Sequence, residues 1–146
     1  MRRFSRSLVA VLLCGAVCVG CRTQSGRTLE SSIDSLYRAE QTNDWRTWWS
    51  FASPDFKKQM TYEDFIQEWQ KDRDVTVVSW GILRIEPMEI PSEERGRGVT
   101  AVAKVPMDVT IHRRDKKETE KEKDQTDYWM RMDGRWYWYW RGFPSD

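Results

Sequence analysis

The stretch that decides the fold of this chain lies at residues 126–142 and reads TDYWMRMDGRWYWYWRG. Asp133 and Gly134 stand between two runs of aromatic and long side chains. A two-residue turn of type I′ needs a positive φ at both central residues, and an Asp-Gly pair between strands meets that need. The stretch therefore predicts a β-hairpin that closes a sheet.

Pairing across this turn assigns the side chains to two faces, because directly opposed residues lie on the same face of a sheet. One face, the Trp face, holds Trp129, Trp136, Trp138 and Trp140, with Asp127 and Arg131 among them. The other face, the Tyr/Met face, holds Tyr128, Met130, Met132, Tyr137 and Tyr139. Both faces carry large apolar side chains, so we expect each of them to be covered at least in part.

The Tyr/Met face is the candidate interaction face of the chain. We expect the Trp face to pack on helices and the Tyr/Met face to be the outer one. Tyr and Met are enriched in the cores of protein interfaces, which favours a homodimer or another envelope protein as partner. Two other interpretations remain open: a partly exposed sheet surface, and a platform on which envelope sugars stack.

The N-terminus predicts export and a lipid anchor. Arg2, Arg3 and Arg6 precede an apolar segment that is too short to span a membrane. Gly20 directly before Cys21 resembles the lipobox of bacterial lipoproteins, which implies a signal peptide at residues 1–20 and lipidation of Cys21. The alternative is an ordinary secretory signal with a chance cysteine. The chain is then expected in the cell envelope, facing the periplasm or the exterior, attached to a membrane through its lipid.

Removal of this signal changes both the charge and the cysteine content. The full chain has 24 Lys and Arg and 23 Asp and Glu, and residues 1–20 contain three arginines and no acid. The mature chain therefore has 21 basic and 23 acidic residues, a formal net charge of −2, which gives no electrostatic case for nucleic-acid binding. Cys14 and Cys18 leave with the signal, so a lipidated Cys21 leaves no free thiol.

The mature chain begins with a tether and continues with helices. Residues 21–28 are polar and predict the tether, and residues 29–146 predict one domain. Leu29, Ile33, Leu36, Tyr37 and Glu40 follow the spacing of one helical face. A second helix after Asn43-Asp44 carries Trp45, Trp48 and Trp49, and ends at Ser53-Pro54. A third begins at Thr61 and carries Tyr62, Phe65, Ile66 and Trp69 on one face.

The second half of the domain has the period of strands. Residues 75–85 predict a strand with a bulge or bend at Gly81, and residues 86–98 predict a loop. Residues 99–111 alternate between apolar and polar side chains, with Pro106 indicating a bulge or an edge. The charged residues 112–125 predict a solvated hairpin tip. The fold class is therefore α+β, with N-terminal helices packed on a curved, roughly four-stranded antiparallel sheet.

This order of elements resembles small NTF2-like (cystatin-like) domains, especially those of bacterial lipoproteins of uncharacterised role. The resemblance rests on Asn43-Asp44-Trp45, Ser53-Pro54-Asp55-Phe56, the helix that starts at Thr61, and Asp133-Gly134-Arg135-Trp136, and it covers residues 29–143. It implies a cone in which a bent sheet wraps a helix and often leaves a pocket. Relatives include isomerases and dehydratases, which use a buried Asp or His as general base, as well as binding and dimerisation modules.

The sequence offers little chemistry for catalysis. His112 stands at the start of the charged run, Asp108 on the polar side of its strand, and Asp127 near the hairpin, each without a visible partner. Acid–base work needs paired groups in different environments, so we predict no catalytic residue, no metal site and no cofactor. The predicted function is non-catalytic binding or scaffolding in the cell envelope. A small apolar-ligand binder using the cone interior and an isomerase- or hydrolase-like enzyme are the alternatives.

Overall fold

The computed structural model describes residues 26–71, 74–122 and 125–139. The predicted signal peptide, Cys21, most of the predicted tether and Trp140 lie outside the described residues. Within the described ranges, no helix is both long enough and apolar enough to cross a membrane.

All three predicted helices are present, and side-chain caps explain where the first two begin. Helix α1 spans Leu29–Gln41, α2 spans Trp45–Phe51 and α4 spans Tyr62–Lys71. Thr28 Oγ1 accepts a hydrogen bond from the Ser31 N–H at 3.2 Å, and Asp44 Oδ1 accepts one from the Thr47 N–H at 3.1 Å. Such side-chain caps satisfy backbone donors that have no partner inside the helix.

A further short helix, α3, spans Pro54–Gln59 and was not predicted. The sequence interpretation used Ser53-Pro54 only as a stop for the preceding helix. In the structure Ser53 Oγ accepts a hydrogen bond from the Phe56 N–H at 3.2 Å, and Pro54 occupies the first helical position. Proline is favoured there because its missing N–H would have no partner in any case.

The second half of the chain forms an antiparallel sheet of six strands, two more than predicted. Their bounds are Val75–Ile82 (β1), Glu86–Met88 (β2), Val99–Arg113 (β3), Glu118–Glu122 (β4), Thr126–Met132 (β5) and Arg135–Trp138 (β6). The long strand β3 pairs with β1 and β2, and also with β4 and β5, while β6 pairs with β5. The architecture is a curled antiparallel sheet preceded by helices, which confirms the predicted α+β class.

Three details of the sheet differ from the prediction. The predicted loop at 86–98 contains β2 and a one-turn helix α5, Ser92–Arg95. The register of β1 against β3 shifts between Val77 and Ser79, and not at Gly81. Pro106 marks neither a bulge nor an edge: it pairs with Thr126, at the end of the β3–β5 ladder. A residue without an N–H is tolerated there, because the next ladder begins beyond it.

The hairpin turns as its sequence predicts. Asp133 and Gly134 have φ values of 51° and 74°, and the pairs Met132–Arg135 and Trp129–Trp138 lie opposite each other. The Trp face packs on the helices: Trp129 is fully buried against Phe51, and the rings of Trp48 and Trp138 are 5.1 Å apart. The predicted packing of this face on the helical aromatics is thus confirmed for Trp138, which contacts Trp48, whereas Trp129 packs on Phe51, an aromatic of α2 that the prediction did not include.

The Tyr/Met face is more covered than expected. Met130 is only 1 % exposed and forms a second, smaller core with Val99 and Val102. Met88 and Ile90, from the segment predicted to be a loop, pack against this core together with Met132, Tyr137 and Tyr139. The expectation of an outer face is therefore wrong for Met130, because the side chains of Met88, from the additional strand β2, and Ile90, just after it, pack against the cluster that contains Met130.

Candidate functional site

A pocket of about 160 Å³ lies between the helices and the face of the sheet that packs on them. Its apolar walls include Leu36 from α1 and Val77, Val109 and Ile111 from the sheet. Three tryptophans from three different elements also line it: Trp48, Trp69 and Trp138. The polar side chains of the lining are Tyr37, Glu40, Glu122, Gln125 and Asp127. The pocket therefore combines an aromatic wall with three carboxyl groups.

Asp127 is the most deeply buried of these carboxyls, at 3 % exposure. The Tyr37 hydroxyl donates a hydrogen bond to Asp127 Oδ2 at 3.1 Å, and Gln125 Nε2 donates one to Oδ1 at 3.2 Å. Burial raises the pKa of Asp127, although these donors and the nearby indole N–H groups oppose the rise. Burial and the charge of Asp127 raise the pKa of Tyr37, so its hydroxyl keeps its proton and remains a donor.

Glu40 reaches the same pocket from the last turn of α1. It lies three residues after Tyr37, on the same side of the helix, and is partly buried. Burial and the negative charges of Asp127 and Glu122 together raise the pKa of Glu40 to about 7, although the indole of Trp48 opposes the rise. The carboxyl is therefore close to half-protonated at neutral pH, whereas an ordinary glutamate is ionised.

Two buried indole N–H groups act on the carboxyls of the site. Trp48 donates toward Glu40 and Trp129 donates toward Asp127, and each interaction favours the charged form of the carboxyl. These donors therefore oppose the rise in pKa that burial causes.

The structure separates the three titratable residues that the sequence singled out. Asp108 forms an ion pair with Lys121, at 2.9 Å, and His112 Nδ1 lies 3.1 Å from Thr119 Oγ1. Neither residue lines the pocket, although each is next to a lining residue in strand β3, whereas Asp127 is part of the lining. Sequence reasoning found no partner for Asp127, because Tyr37 lies 90 residues away in the chain. The available signal was Glu40, a carboxyl on the apolar face of α1.

A larger depression of about 270 Å³ lies beside α3 and shares Trp69 with the pocket. Among the described residues that line it, Asp55 is the only carboxyl, and it forms ion pairs with Arg97 and Lys58. The described lining of this depression therefore offers no unpaired carboxyl to recognise a ligand. Within the part of the chain that the structure describes, no three His, Cys, Asp or Glu side chains are arranged to hold a metal ion.

The pocket of Glu40 and Asp127 is therefore the candidate site. No known protein-family model matches the sequence, and no curated protein matches it significantly.

Proposed function

We propose that this protein is an exported, lipid-anchored binding module of NTF2-like fold that takes up a small ligand in the interior of its cone. The observation that carries this proposal is the pocket between the helices and the sheet, with its aromatic walls and buried carboxyls. A pure scaffolding module needs only a filled interior and an exposed contact face. Here the interior contains a polar pocket, while the Tyr/Met face is partly covered, so the small-ligand alternative is favoured over a scaffold.

Two further features support the remaining parts of the proposal. The helices that precede a curled antiparallel sheet agree with an NTF2-like cone. The sequence around Cys21 supports attachment to a membrane through lipid, with the domain in the cell envelope. Mass spectrometry of the mature protein tests this attachment: we expect acylated Cys21 as the first residue. An unmodified Cys21 or another N-terminus would rule out the anchor.

Acid–base catalysis in the same pocket is the second candidate function. One observation favours it: Glu40, with a pKa of about 7, and the hydrogen-bonded Asp127 are carboxyls in different environments. Such a pair is what general acid–base catalysis requires. A bound ligand that is recovered unchanged after prolonged incubation supports the binding module, and its conversion supports the enzyme.

A blocked pocket provides the test of ligand binding. Val77 lines the pocket at 4 % exposure, while its neighbour Val78 is 45 % exposed. We expect Val77→Phe to abolish binding of small molecules found by ligand-detected NMR, and the matched control Val78→Phe to leave it intact. Equal binding by both variants would show that the ligands bind elsewhere. Retained capture of an envelope protein by Val77→Phe, without any small-molecule binding to the native protein, would favour the scaffold.

A further inference from the structure

We propose that the ligand of this pocket is a small organic cation, a protonated or quaternary amine whose charged group lies between Glu40 and Asp127. This inference rests on the proposed function and adds the chemical class of the ligand. It is argued from the charge of the lining and from its aromatic walls.

The described lining of the pocket is unbalanced in charge. Three of its lining residues are acids, Glu40, Glu122 and Asp127, and they come from α1, β4 and β5. Among the described residues, no Lys, Arg or His lines the pocket or forms an ion pair with any of the three. Buried carboxylates are normally paired with a cation or else neutralised by protonation. A cationic ligand provides the missing partner.

The aromatic walls favour an organic cation. Trp48, Trp69 and Trp138 all line the pocket, and the rings of Trp69 and Trp138 pack against that of Trp48, at centroid distances of 5.4 and 5.1 Å. Tryptophan is the best aromatic partner for a cation, because its ring faces carry negative potential, and ammonium groups are bound in cages of such rings. A volume of about 160 Å³ holds about five water molecules at about 30 Å³ each, which suits a head group of a few heavy atoms.

The indole of Trp48 helps to keep the carboxylate of Glu40 available to a cation. Trp48 lines the pocket, and the interaction of its N–H with Glu40 favours the charged form of that carboxyl. Small organic cations of suitable size include amino alcohols such as choline, either as free molecules or as the head groups of lipids.

Choline and its neutral isostere 3,3-dimethylbutan-1-ol test the inference, because they differ mainly in charge. Binding to the purified full chain is measured by titration calorimetry near pH 8. We expect choline to bind at least tenfold more tightly than the isostere. Equal binding of the two would overturn the cation while leaving the ligand pocket intact. Binding of neither compound would overturn the cation, and the Val77→Phe comparison with other small molecules then decides the pocket separately.

The native protein also provides a pH test that needs no variant. The groups that face Glu40 are Asp127 and Glu122 from the sheet, and Tyr37 and Trp48 from the helices. Protonation of Glu40 weakens the field that holds a cation, so we expect choline affinity to fall at least threefold between about pH 8 and about pH 5.5. An affinity that is unchanged over this range would contradict a role for Glu40.

Two variants of helix α1 and a second ligand, phosphocholine, complete the test. We expect Glu40→Gln to weaken choline binding at least tenfold and the exposed control Glu30→Gln to leave it within twofold. Equal affinities for both variants would overturn the assignment of Glu40. Phosphocholine distinguishes the two sources of the amine: retained affinity supports a lipid head group as ligand, and lost affinity supports a free amine.

Discussion

Replacement of Glu40 by glutamine is expected to make the folded protein more stable at neutral and alkaline pH. Burial raises the pKa of Glu40 from 4.5 to about 7. A shift of one pKa unit corresponds to about 1.4 kcal/mol, so this shift corresponds to about 3 kcal/mol. Below the unfolded pKa, Glu40 is protonated in both states and contributes no difference.

The sign follows from proton binding. Between pH 4.5 and about 7, the unfolded chain releases the proton of Glu40 while the folded chain retains it, so the free energy of unfolding decreases as pH rises. Above that range both forms are ionised and the folded state carries the full penalty. Glutamine has no charge at any pH. The gain of the Glu40→Gln variant should therefore grow from near zero at about pH 4 to about 3 kcal/mol at about pH 8.

Urea denaturation followed by tryptophan fluorescence at both pH values measures this gain. Glu30→Gln is the matched control, because Glu30 is exposed in the first turn of the same helix. Its loss of the favourable interaction with the helix N-terminus should reduce the free energy of unfolding by about 1 kcal/mol or less. The reasoning is refuted if Glu40→Gln is no more stable than the native protein at about pH 8. A gain of the same size at both pH values would also refute it, since packing and not ionisation would then be responsible.

Three other substitutions and one exposed control test further contacts of the fold, each by urea denaturation. Tyr37→Phe removes a hydrogen-bond donor from Asp127 and should lower the free energy of unfolding by about 1–3 kcal/mol. The loss should be larger at high pH, where the carboxyl of Asp127 is charged, and an equal loss at all pH values would contradict the role of this hydrogen bond. Ile33 is fully buried, so Ile33→Ala should lower the free energy of unfolding by about 2–5 kcal/mol. Leu83 is 61 % exposed, so the control Leu83→Ala should lower it by less than about 0.5 kcal/mol. Similar losses for both variants would place Ile33 outside the core. Gly134→Ala forces alanine into a φ of 74° and should cost about 1–2 kcal/mol, and an unchanged stability would contradict the type I′ turn.

The elements that local chemistry determines could be predicted from the sequence. The turn at Asp133-Gly134 depends on two residues that tolerate positive φ, and the caps at Thr28 and Asp44 depend on side chains within the same turn. Strand β2 and helix α5 have no such local signal. Met88 and Ile90 find their place by packing on Met130, which comes from a distant strand, so their structure depends on tertiary contacts that no short pattern contains.

The site illustrates the same division between local and tertiary causes. The alternation of side chains along the hairpin correctly placed Asp127 on the Trp face. Its hydrogen bond with Tyr37 could not be predicted, because it requires the sheet to curl over α1. The signal that could have been used is Glu40, a carboxyl on the stripe formed by Leu36 and Tyr37, where an apolar residue would pack better. A role in ligand binding would explain why a destabilising carboxyl is present at this position, because function is often maintained at the expense of stability. Glu40→Gln should therefore be both more stable and a weaker binder of cations, two opposite effects that a purely structural role for Glu40 does not produce.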